Sequence, residues 1–187
     1  FGLRKLAAVD RRVQVRHLLD ATGLGGMGER YPHELSGGQR QRAALARAIA
    51  PRPDLIVADE PLSSLDLSLQ YRMVRLIRDL GERTGTAFLV ISHDLSVVRR
   101  LADRVAVMYL GRIIEIAPRD ELFRNPRHPY TRGLLTSIPT LDSPHKQPLR
   151  VIKGAVPSLD NLPAGCRFEN RRHAAGSGPV AEAYEQP

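Results

Sequence analysis

Two pairs of adjacent polar residues end apolar stretches of this chain, and their types suit phosphate chemistry. Asp59 and Glu60 close the apolar-rich sequence Leu-Ile-Val-Ala-Asp-Glu. Carboxylates placed this way can hold Mg²⁺ and orient the water that attacks a phosphoryl group. His93 and Asp94 follow a second apolar run, Phe88–Ser92. A histidine at the end of a buried strand can bind or transfer a proton beside a phosphate.

Leu35–Gln39 forms a third candidate element, with the sequence Leu-Ser-Gly-Gly-Gln at the start of an alanine-rich helix. The first backbone N–H groups of a helix have no partner within it, and the helix dipole is positive there. Gly37 and Gly38 would let a phosphate approach those N–H groups closely. Ser36 is also a preferred N-cap residue, so an ordinary helix start is the alternative interpretation.

The elements that must position these residues follow from apolar periodicity. Leu55–Asp59 and Phe88–Ser92 are continuous apolar runs, typical of strands covered on both faces in a parallel sheet. Helices alternate with these strands, and a pair of strands around Gly111 follows. The alternation predicts an α/β core, in which a parallel sheet is flanked by helices. The predicted helices span residues 11–22, 36–50, 66–83, 95–102, 118–123 and 128–137.

In the first predicted helix, four apolar residues are expected to face the core, and they are Val13, Val15, Leu18 and Leu19. The third predicted helix has a clearer apolar stripe at helical spacing. It consists of Met73, Leu76, Ile77 and Leu80. Gly85 is expected to end that helix.

Composition narrows the class of protein. The chain has 187 residues, a net charge of +8 and one cysteine, Cys166. A single cysteine excludes an internal disulfide and a cysteine-rich metal site. The positive charge could serve nucleic acid, but the arginines are scattered along amphipathic helices, without a run of five basic residues. A solvated surface, facing water or phospholipid headgroups, is therefore favoured over a nucleic-acid interface.

Four motifs in a fixed order resemble those of ABC-transporter ATPase subunits. They are the signature Leu35–Gln39, the Walker B strand Leu55–Glu60, the D-loop Ser63–Asp66 and the switch histidine His93. Any one of these motifs alone is weak evidence, whereas four with matching order and spacing are specific. Three further stretches are similar to the oligopeptide/dipeptide (and nickel) importer branch, and they lie at 31–34, 106–112 and 125–131.

The resemblance implies a fold and a division of the chain. The expected fold is a partial RecA-like P-loop NTPase core, preceded by the end of the ABC helical subdomain and followed by an irregular C-terminal extension. Residues 1–34 would end the helical subdomain, 35–117 would form the catalytic core, 118–170 the importer-type extension and 171–187 a disordered tail. The proline-rich stretch 139–163 is expected to be extended.

The resemblance also implies a role for each candidate residue. Glu60 would activate the attacking water, Asp59 would bind Mg²⁺, and His93 would stand beside the γ-phosphate of ATP. The signature residues Ser36–Gln39 would contact the nucleotide held by an opposite subunit. Asp66 would communicate across that dimer, although it could equally be the N-cap of the helix that follows.

The activity implied by the resemblance is hydrolysis of ATP, with Mg²⁺, to energise solute uptake. The implied partners are a second ATP-binding subunit, identical or different, and transmembrane permease subunits. The implied location is the cytoplasmic face of the cell membrane, and no nucleic-acid partner is expected. The sequence does not separate dipeptides, oligopeptides, nickel and other solutes.

The chain contains no Gly-x-x-x-x-Gly-Lys-Ser/Thr phosphate loop. The glycine cluster Gly23–Gly28 lacks the lysine and hydroxyl and has no strand before it, so it predicts an ordinary loop. On the resemblance, the chain begins inside the helical subdomain, and we expect that it does not hydrolyse ATP alone. Two alternatives stay open, a non-transport ABC ATPase acting on nucleic acid and an inactive remnant.

The C-terminal stretch carries two possible metal ligands. Gly165–Phe168 matches the first of several cysteines that the importer branch often has, but Arg172 stands where a second commonly follows. A metal cluster is therefore not expected at Cys166. His128, before Pro129 and Tyr130, is expected to pack the extension onto the core rather than to bind a metal.

Overall fold

A computed structural model describes residues 7–63, 65–137, 152, 154–158, 160 and 162–172. The chain divides into two compact units, Phe1–Leu101 and Ala102–Pro187. This division rests on contacts, and it does not test the functional division at residues 34, 117 and 170, which stays a prediction. No helix in the described part of the chain combines the length and the apolar character needed to cross a membrane.

Helices and strands alternate along the first unit. In chain order they are α1 (Ala8–Ala21), a 3₁₀ turn (Pro32–Glu34), α2 (Gly37–Ile49), β1 (Leu55–Asp59), α3 (Leu67–Thr84), β2 (Ala87–Ile91) and α4 (Leu95–Leu101). β1 and β2 pair in parallel, with Leu55 opposite Ala87 and Asp59 opposite Ile91. The predicted α/β class, a parallel sheet with flanking helices, is confirmed.

The helices cover one face of the β1–β2 sheet. On that face Ile56 is 8% exposed and packs in a cluster with Ile49 and Leu80. The other face is about half exposed, with Leu55 at 55%, Val57 at 60%, Leu89 at 53% and Ile91 at 49%. For the described residues, the prediction of strands covered on both faces is therefore wrong. An apolar run predicts that both faces avoid water, but it does not show which segment covers each face.

α1 contacts the core through a shorter stripe than its sequence predicts. Leu18 and Ala21, near its C-terminal end, pack against the cluster of Ile49, Ile56 and Leu80. The prediction that Val13 and Val15 face the core is wrong, because their exposed fractions are 63% and 40%. The apolar residues that reach the cluster lie near the end of the helix, so earlier ones stay in water.

α3 follows its predicted pattern closely. Met73, Val74, Ile77 and Leu80 are buried along one side of the helix. Gly85 then adopts the left-handed conformation, with φ 70°, and its N–H donates to the carbonyl of Gly81 at 2.9 Å. This is a common way to end a helix, and it returns the chain to the sheet at β2.

The second unit is built on an antiparallel hairpin of β3 (Arg104–Tyr109) and β4 (Arg112–Pro118). Leu110 and Gly111 join the strands, and both have positive φ, 48° and 77°. Two such residues make the tight turn whose twist suits a hairpin. The helices in the described part of this unit are α5 (Arg119–Arg124), α6 (Pro129–Thr136) and α7 (Glu169–Arg172).

Phe168 lies at the centre of an aromatic cluster in the second unit. Its side chain is 1% exposed, and its ring centroid lies 5.4 Å from that of Tyr109, 5.7 Å from Tyr130 and 5.6 Å from His128. His128 also caps α6, since its Nδ1 accepts a hydrogen bond from Tyr130 N–H at 3.0 Å. Burial lowers the pKa of His128, which favours the neutral ring that this acceptor role requires.

The predicted extended stretch and the predicted disordered tail lie mostly outside the residues that the structure describes. Arg171 and Arg172 belong to α7, whereas residues 173–187 of the predicted disordered tail lie outside the described residues. The first part of the predicted extended stretch, residues 139–151, lies outside them as well.

Candidate functional site

The carboxyl ends of β1 and β2 lie at the same edge of the sheet. Asp59 ends β1 opposite Ile91, which ends β2. Glu60 follows Asp59 directly, and His93 comes shortly after Ile91. Since neighbouring parallel strands end at a common edge, this register brings Glu60 and His93 together although they are far apart in sequence.

Glu60 turns the chain sharply at the end of β1. Its φ is 46°, in the left-handed region that residues with side chains rarely adopt. Glu60 N–H donates to the carbonyl of Ile91 at 2.9 Å, and the N–H and hydroxyl of Ser63 donate to the carbonyl of Glu60 at 3.4 and 3.1 Å. Such backbone strain costs ~1–3 kcal/mol and is concentrated at functional sites. Here it accompanies the turn that brings the Glu60 side chain to the end of β2.

Glu60 and His93 form a direct polar contact. The Nδ1 atom of His93 lies 2.7 Å from Oε1 of Glu60, and the backbone N–H of His93 donates to the same oxygen at 3.0 Å. Because an ionised carboxylate can only accept, Nδ1 must carry the proton. This bond raises the pKa of His93 and so favours the imidazolium form. The His93 side chain is 79% exposed, so its ring is open to an incoming anion.

The two oxygens of the Glu60 carboxylate are in different situations. Oε1 accepts both bonds from His93. Oε2 has no hydrogen-bond partner in the part of the chain that the structure describes, and the side chain is 35% exposed. One oxygen therefore fixes the carboxylate, and the other can accept a hydrogen bond from a water molecule.

Asp59 offers an exposed carboxylate at the same strand end. Among the described residues, no three histidine, cysteine, aspartate or glutamate side chains come together as a metal site. Mg²⁺ commonly uses only one or two protein carboxylates, and phosphate oxygens and water complete its shell. An exposed aspartate at a strand end would fit that manner of binding.

Asp94 stabilises the start of α4 and takes no part in the contact with Glu60. Its Oδ1 accepts hydrogen bonds from the hydroxyl of Ser96 at 2.6 Å and from the N–H of Ser96 at 2.8 Å. These bonds lower the pKa of Asp94, and the bond from the Ser96 hydroxyl has the largest effect. This capping role was not predicted from the sequence, although an aspartate directly before a helix is a recognisable signal for it.

α2 begins with a closed capping box. The N–H of Gln39 donates to the Ser36 hydroxyl at 3.3 Å, and the N–H of Ser36 donates to Oε1 of Gln39 at 2.8 Å. The two side chains thus satisfy each other's backbone groups, as this motif does in general. The N-cap interpretation of Ser36 is confirmed. Neither bond uses the N–H groups of Gly37 or Gly38, so a phosphate could still bind them.

Gly37 and Gly38 have different surroundings. A methyl group placed on Gly37 would meet nothing within 4 Å, whereas one on Gly38 would contact Leu69 at 3.4 Å and Leu65 at 3.6 Å. Gly37 also has helical backbone geometry, for which alanine is the better residue. Nothing in the described structure therefore requires glycine at position 37. A glycine there would allow a ligand to approach the backbone closely.

Asp66 opens α3 in the same way as Ser36 opens α2. Its Oδ1 accepts hydrogen bonds from Leu69 N–H at 2.9 Å and from the Ser68 hydroxyl at 2.8 Å. These bonds lower the pKa of Asp66, and the bond from Leu69 has the largest effect. The N-cap interpretation is confirmed, while the role of Asp66 across a dimer stays a prediction. Since a methyl group on Gly38 would contact Leu65 and Leu69, the starts of α2 and α3 lie side by side.

Two protein families match this chain. The ABC transporter family model matches residues 4–63. The model of the oligopeptide/dipeptide transporter C-terminal region matches residues 114–178. The first match includes the signature and the Walker B strand, and the second includes the stretch 125–131. The two matches confirm the resemblance to ABC-transporter ATPase subunits of the oligopeptide/dipeptide branch.

Individual relatives agree with the family matches. Oligopeptide transport ATP-binding protein AppD of Bacillus subtilis is 46% identical over 170 residues, which are 91% of this chain and 52% of AppD. AppF of the same organism is 48% identical over 165 residues, 87% of this chain and 50% of AppF. A Brucella ovis protein, provisionally named a peptide import ATP-binding protein, is 53% identical over 142 residues, 76% of this chain and 45% of that protein. The chain thus spans about half the length of the curated relatives it matches.

Proposed function

Because the chain belongs to the ABC transporter family, in its oligopeptide/dipeptide branch, we propose that it is part of the ATP-binding subunit of a peptide-class importer. The complete subunit hydrolyses ATP to ADP and phosphate and so energises solute uptake. The observation that carries this proposal is the 2.7 Å contact between Glu60 and His93 at the shared edge of β1 and β2. The names of AppD and AppF, both oligopeptide transport ATP-binding proteins, support it.

Glu60 acts as the general base. With Oε1 held by His93, Oε2 accepts a hydrogen bond from the attacking water and takes its proton as the water reaches the γ-phosphate. A positioned base of this kind contributes ~10²–10⁴-fold to a rate. The strained backbone at Glu60 sets the direction of the carboxylate, which matters because phosphoryl transfer depends mainly on positioning.

His93 links the base to the phosphate. Its Nδ1 proton is engaged by Glu60, which leaves Nε2 to donate a hydrogen bond to a γ-phosphate oxygen when the ring is charged. The raised pKa of His93 increases the charged fraction near neutral pH. His93 is therefore able to hold the carboxylate and the phosphate in a fixed relation.

Asp59 is the residue that would hold Mg²⁺, directly or through water. When bound, the ion neutralises negative charge on the phosphate oxygens. Asp59 and Glu60 are adjacent on the chain, so one strand end supplies both the metal ligand and the base.

The Ser36–Gln39 turn serves a second nucleotide, held by an opposite ATP-binding subunit. The Ser36 hydroxyl accepts from Gln39 N–H, so its own proton remains available for a phosphate oxygen. The N–H groups of Gly37 and Gly38 and the positive end of α2 add to this binding. Asp66, whose cap lies beside this turn, then communicates between the two sites of the dimer.

The partners that follow are a second ATP-binding subunit and transmembrane permease subunits, at the cytoplasmic face of the membrane. The alternative, a non-transport ABC ATPase that acts on nucleic acid, shares the same ATPase motifs. DNA or RNA that stimulated turnover more than the permease subunits did would favour that alternative.

A chimera with AppD tests the proposal. The region of AppD that aligns with this chain is replaced by this chain, and hydrolysis of MgATP is measured. We expect turnover similar to that of AppD, and loss of turnover in Glu60→Gln. Glu82→Gln, which removes an exposed carboxylate from α3, is the matched control and should leave turnover unchanged. A folded chimera without turnover would contradict the proposal.

A further inference from the structure

Arg42 joins two separate segments of the first unit. Its side chain extends from the second turn of α2, and Nη1 donates to the carbonyl of Gly23 at 2.9 Å. Nε donates to the carbonyl of Gly38 at 3.5 Å, a longer and weaker bond. One planar guanidinium thus contacts both the loop after α1 and the first turn of α2.

The loop that receives this side chain is firmly anchored. Thr22 and Leu24, on either side of Gly23, are each 1% exposed. Leu24 N–H donates to the carbonyl of Leu19 at 2.7 Å. A methyl group on Gly23 would lie 3.0 Å from Nη1 of Arg42, so the guanidinium occupies the space beside this glycine. The carbonyl of Gly23 is therefore a fixed point for Arg42 to bind.

The other end of this connection is the turn at the start of α2. The capping box joins Ser36 only to Gln39, within the turn. On the side of α3, a methyl group on Gly38 would contact Leu65 and Leu69, so little space is left there. On the side of α1, the guanidinium of Arg42 joins α2 to the loop after that helix. A cation so near a helix N-terminus is unfavourable in itself, since the helix dipole is positive there. Its two carbonyl contacts offset that effect.

We propose that Arg42 is a positioning residue for the Ser36–Gly38 turn. It ties the turn to the buried loop after α1, and so holds the N–H groups of Gly37 and Gly38 where a phosphate would bind. The phosphate part of this inference rests on the proposed function. The tie itself is a property of the chain and can be tested without any nucleotide.

Hydrogen exchange measured by NMR on the full chain tests the tie. In Arg42→Gln, the amides of Leu24 and Arg40, on either side of the tie, should exchange ~10-fold faster than in the wild type, because a hydrogen bond from a charged group is lost. The amide of Ile77, inside α3, should keep its rate, which separates a local effect from global unfolding. Arg47→Gln removes the same charge from an exposed position of α2 and should change neither probe.

Arg42→Lys keeps the positive charge but replaces the planar guanidinium by a single ammonium group. This variant should fold, and its exchange rates should lie between those of the wild type and Arg42→Gln. Rates equal to the wild type at Leu24 and Arg40 in both variants would overturn the tie. Equal acceleration in Arg42→Gln and Arg47→Gln would overturn it as well, because charge alone would then explain the effect.

The positioning role is tested in the AppD chimera. We expect Arg42→Gln to lower kcat for MgATP ~10-fold, with nucleotide affinity of the separated subunit unchanged and with most of kcat restored in Arg42→Lys. Faster exchange with an unchanged kcat would overturn the positioning role. If the wild-type chimera itself has no turnover, the proposed function fails, while the exchange rates still decide whether the tie exists.

Discussion

The two parts of the candidate site differ in how far this chain completes them. At the strand ends, Glu60 and His93 already contact each other, with 2.7 Å between Oε1 and Nδ1. At the start of α2, the side chains of Ser36 and Gln39 each bond to the other residue's backbone N–H, and the space around Gly37 is open. The first part is organised by contacts within the chain. The second is a capped turn that is open beside Gly37 and makes no contact with Glu60 or His93 among the described hydrogen bonds.

Two different structural features indicate a functional residue in these two parts. Glu60 stands in a backbone conformation that its residue type disfavours, and contacts hold it there. Gly37 stands in a conformation that other residues favour, and no described contact requires a glycine. In both cases the residue is not the one that its backbone conformation favours. At Gly37 no described contact offsets this, so stability and activity should respond to substitution there in opposite directions.

The largest expected effect concerns the first part. In the AppD chimera, Glu60→Gln should lower ATP turnover by ~10²–10⁴-fold, because the amide keeps the size of the side chain but cannot take a proton. Nucleotide binding should survive, which is measured by titration with MgATP. Turnover within a few-fold of the wild type would show that Glu60 is not the base.

The next largest effect is expected for Gly85→Ala, with which the change at Gly37 can be compared. Gly85 has φ 70° at the end of α3, so Gly85→Ala should destabilise the chain by ~1–2 kcal/mol, the usual penalty for a left-handed residue with a side chain. Urea unfolding followed by circular dichroism measures the change. Unchanged stability would mean that the end of α3 can adopt another conformation.

Gly37→Ala should have the opposite sign. Alanine favours the helical conformation and would meet no atom within 4 Å, so the free energy of unfolding should rise by up to ~0.5 kcal/mol. In the chimera the same change should lower turnover, since a methyl group would stand where a phosphate approaches. If Gly37→Ala destabilised the chain, the fold itself would require this glycine, and the contrast with Glu60 would disappear.

A smaller effect concerns the protonation of His93. Its pKa is raised above 6.5 by the bond to Glu60, so this pair stabilises the chain fully below pH 6.5, and the contribution is lost as the pH rises through the raised pKa. The difference in unfolding free energy between the wild type and Glu60→Gln should therefore be larger at ~pH 5.5 than at ~pH 9. An NMR titration should also show a lower His93 pKa in Glu60→Gln. An identical titration in both proteins would contradict the contact.

The sequence predicted the elements well because their signals are local. Apolar spacing placed α3, Gly85 marked its end, and Ser36 and Asp66 were recognisable as caps because a side chain three residues from its backbone partner leaves a readable pattern. Contacts between distant segments left weaker signals. The sequence placed Glu60 and His93 each at the end of a strand, but their hydrogen bond depends on the parallel register of β1 and β2.

Three features could not have been predicted from the sequence in this way. A glutamate before proline is normally extended, so the left-handed Glu60 follows only from its hydrogen bonds to other segments. The exposure of Leu55 and Val57 depends on which segments cover the sheet, and their residue types do not encode it. The contact of Arg42 with Gly23 joins residues far apart in sequence, and no short motif announces it.

The central claim is that the Ser36–Gln39 turn of this chain completes a nucleotide site on another subunit. A direct measurement starts from the AppD chimera carrying Ser36→Arg, in which the turns of both subunits of a dimer are blocked. The chain described here is then titrated in, and ATP hydrolysis is followed together with association by light scattering. The account predicts that turnover recovers as mixed dimers form, and that Ser36→Arg in the added chain abolishes the recovery. No recovery by a folded chain that demonstrably associates with the chimera would contradict the account.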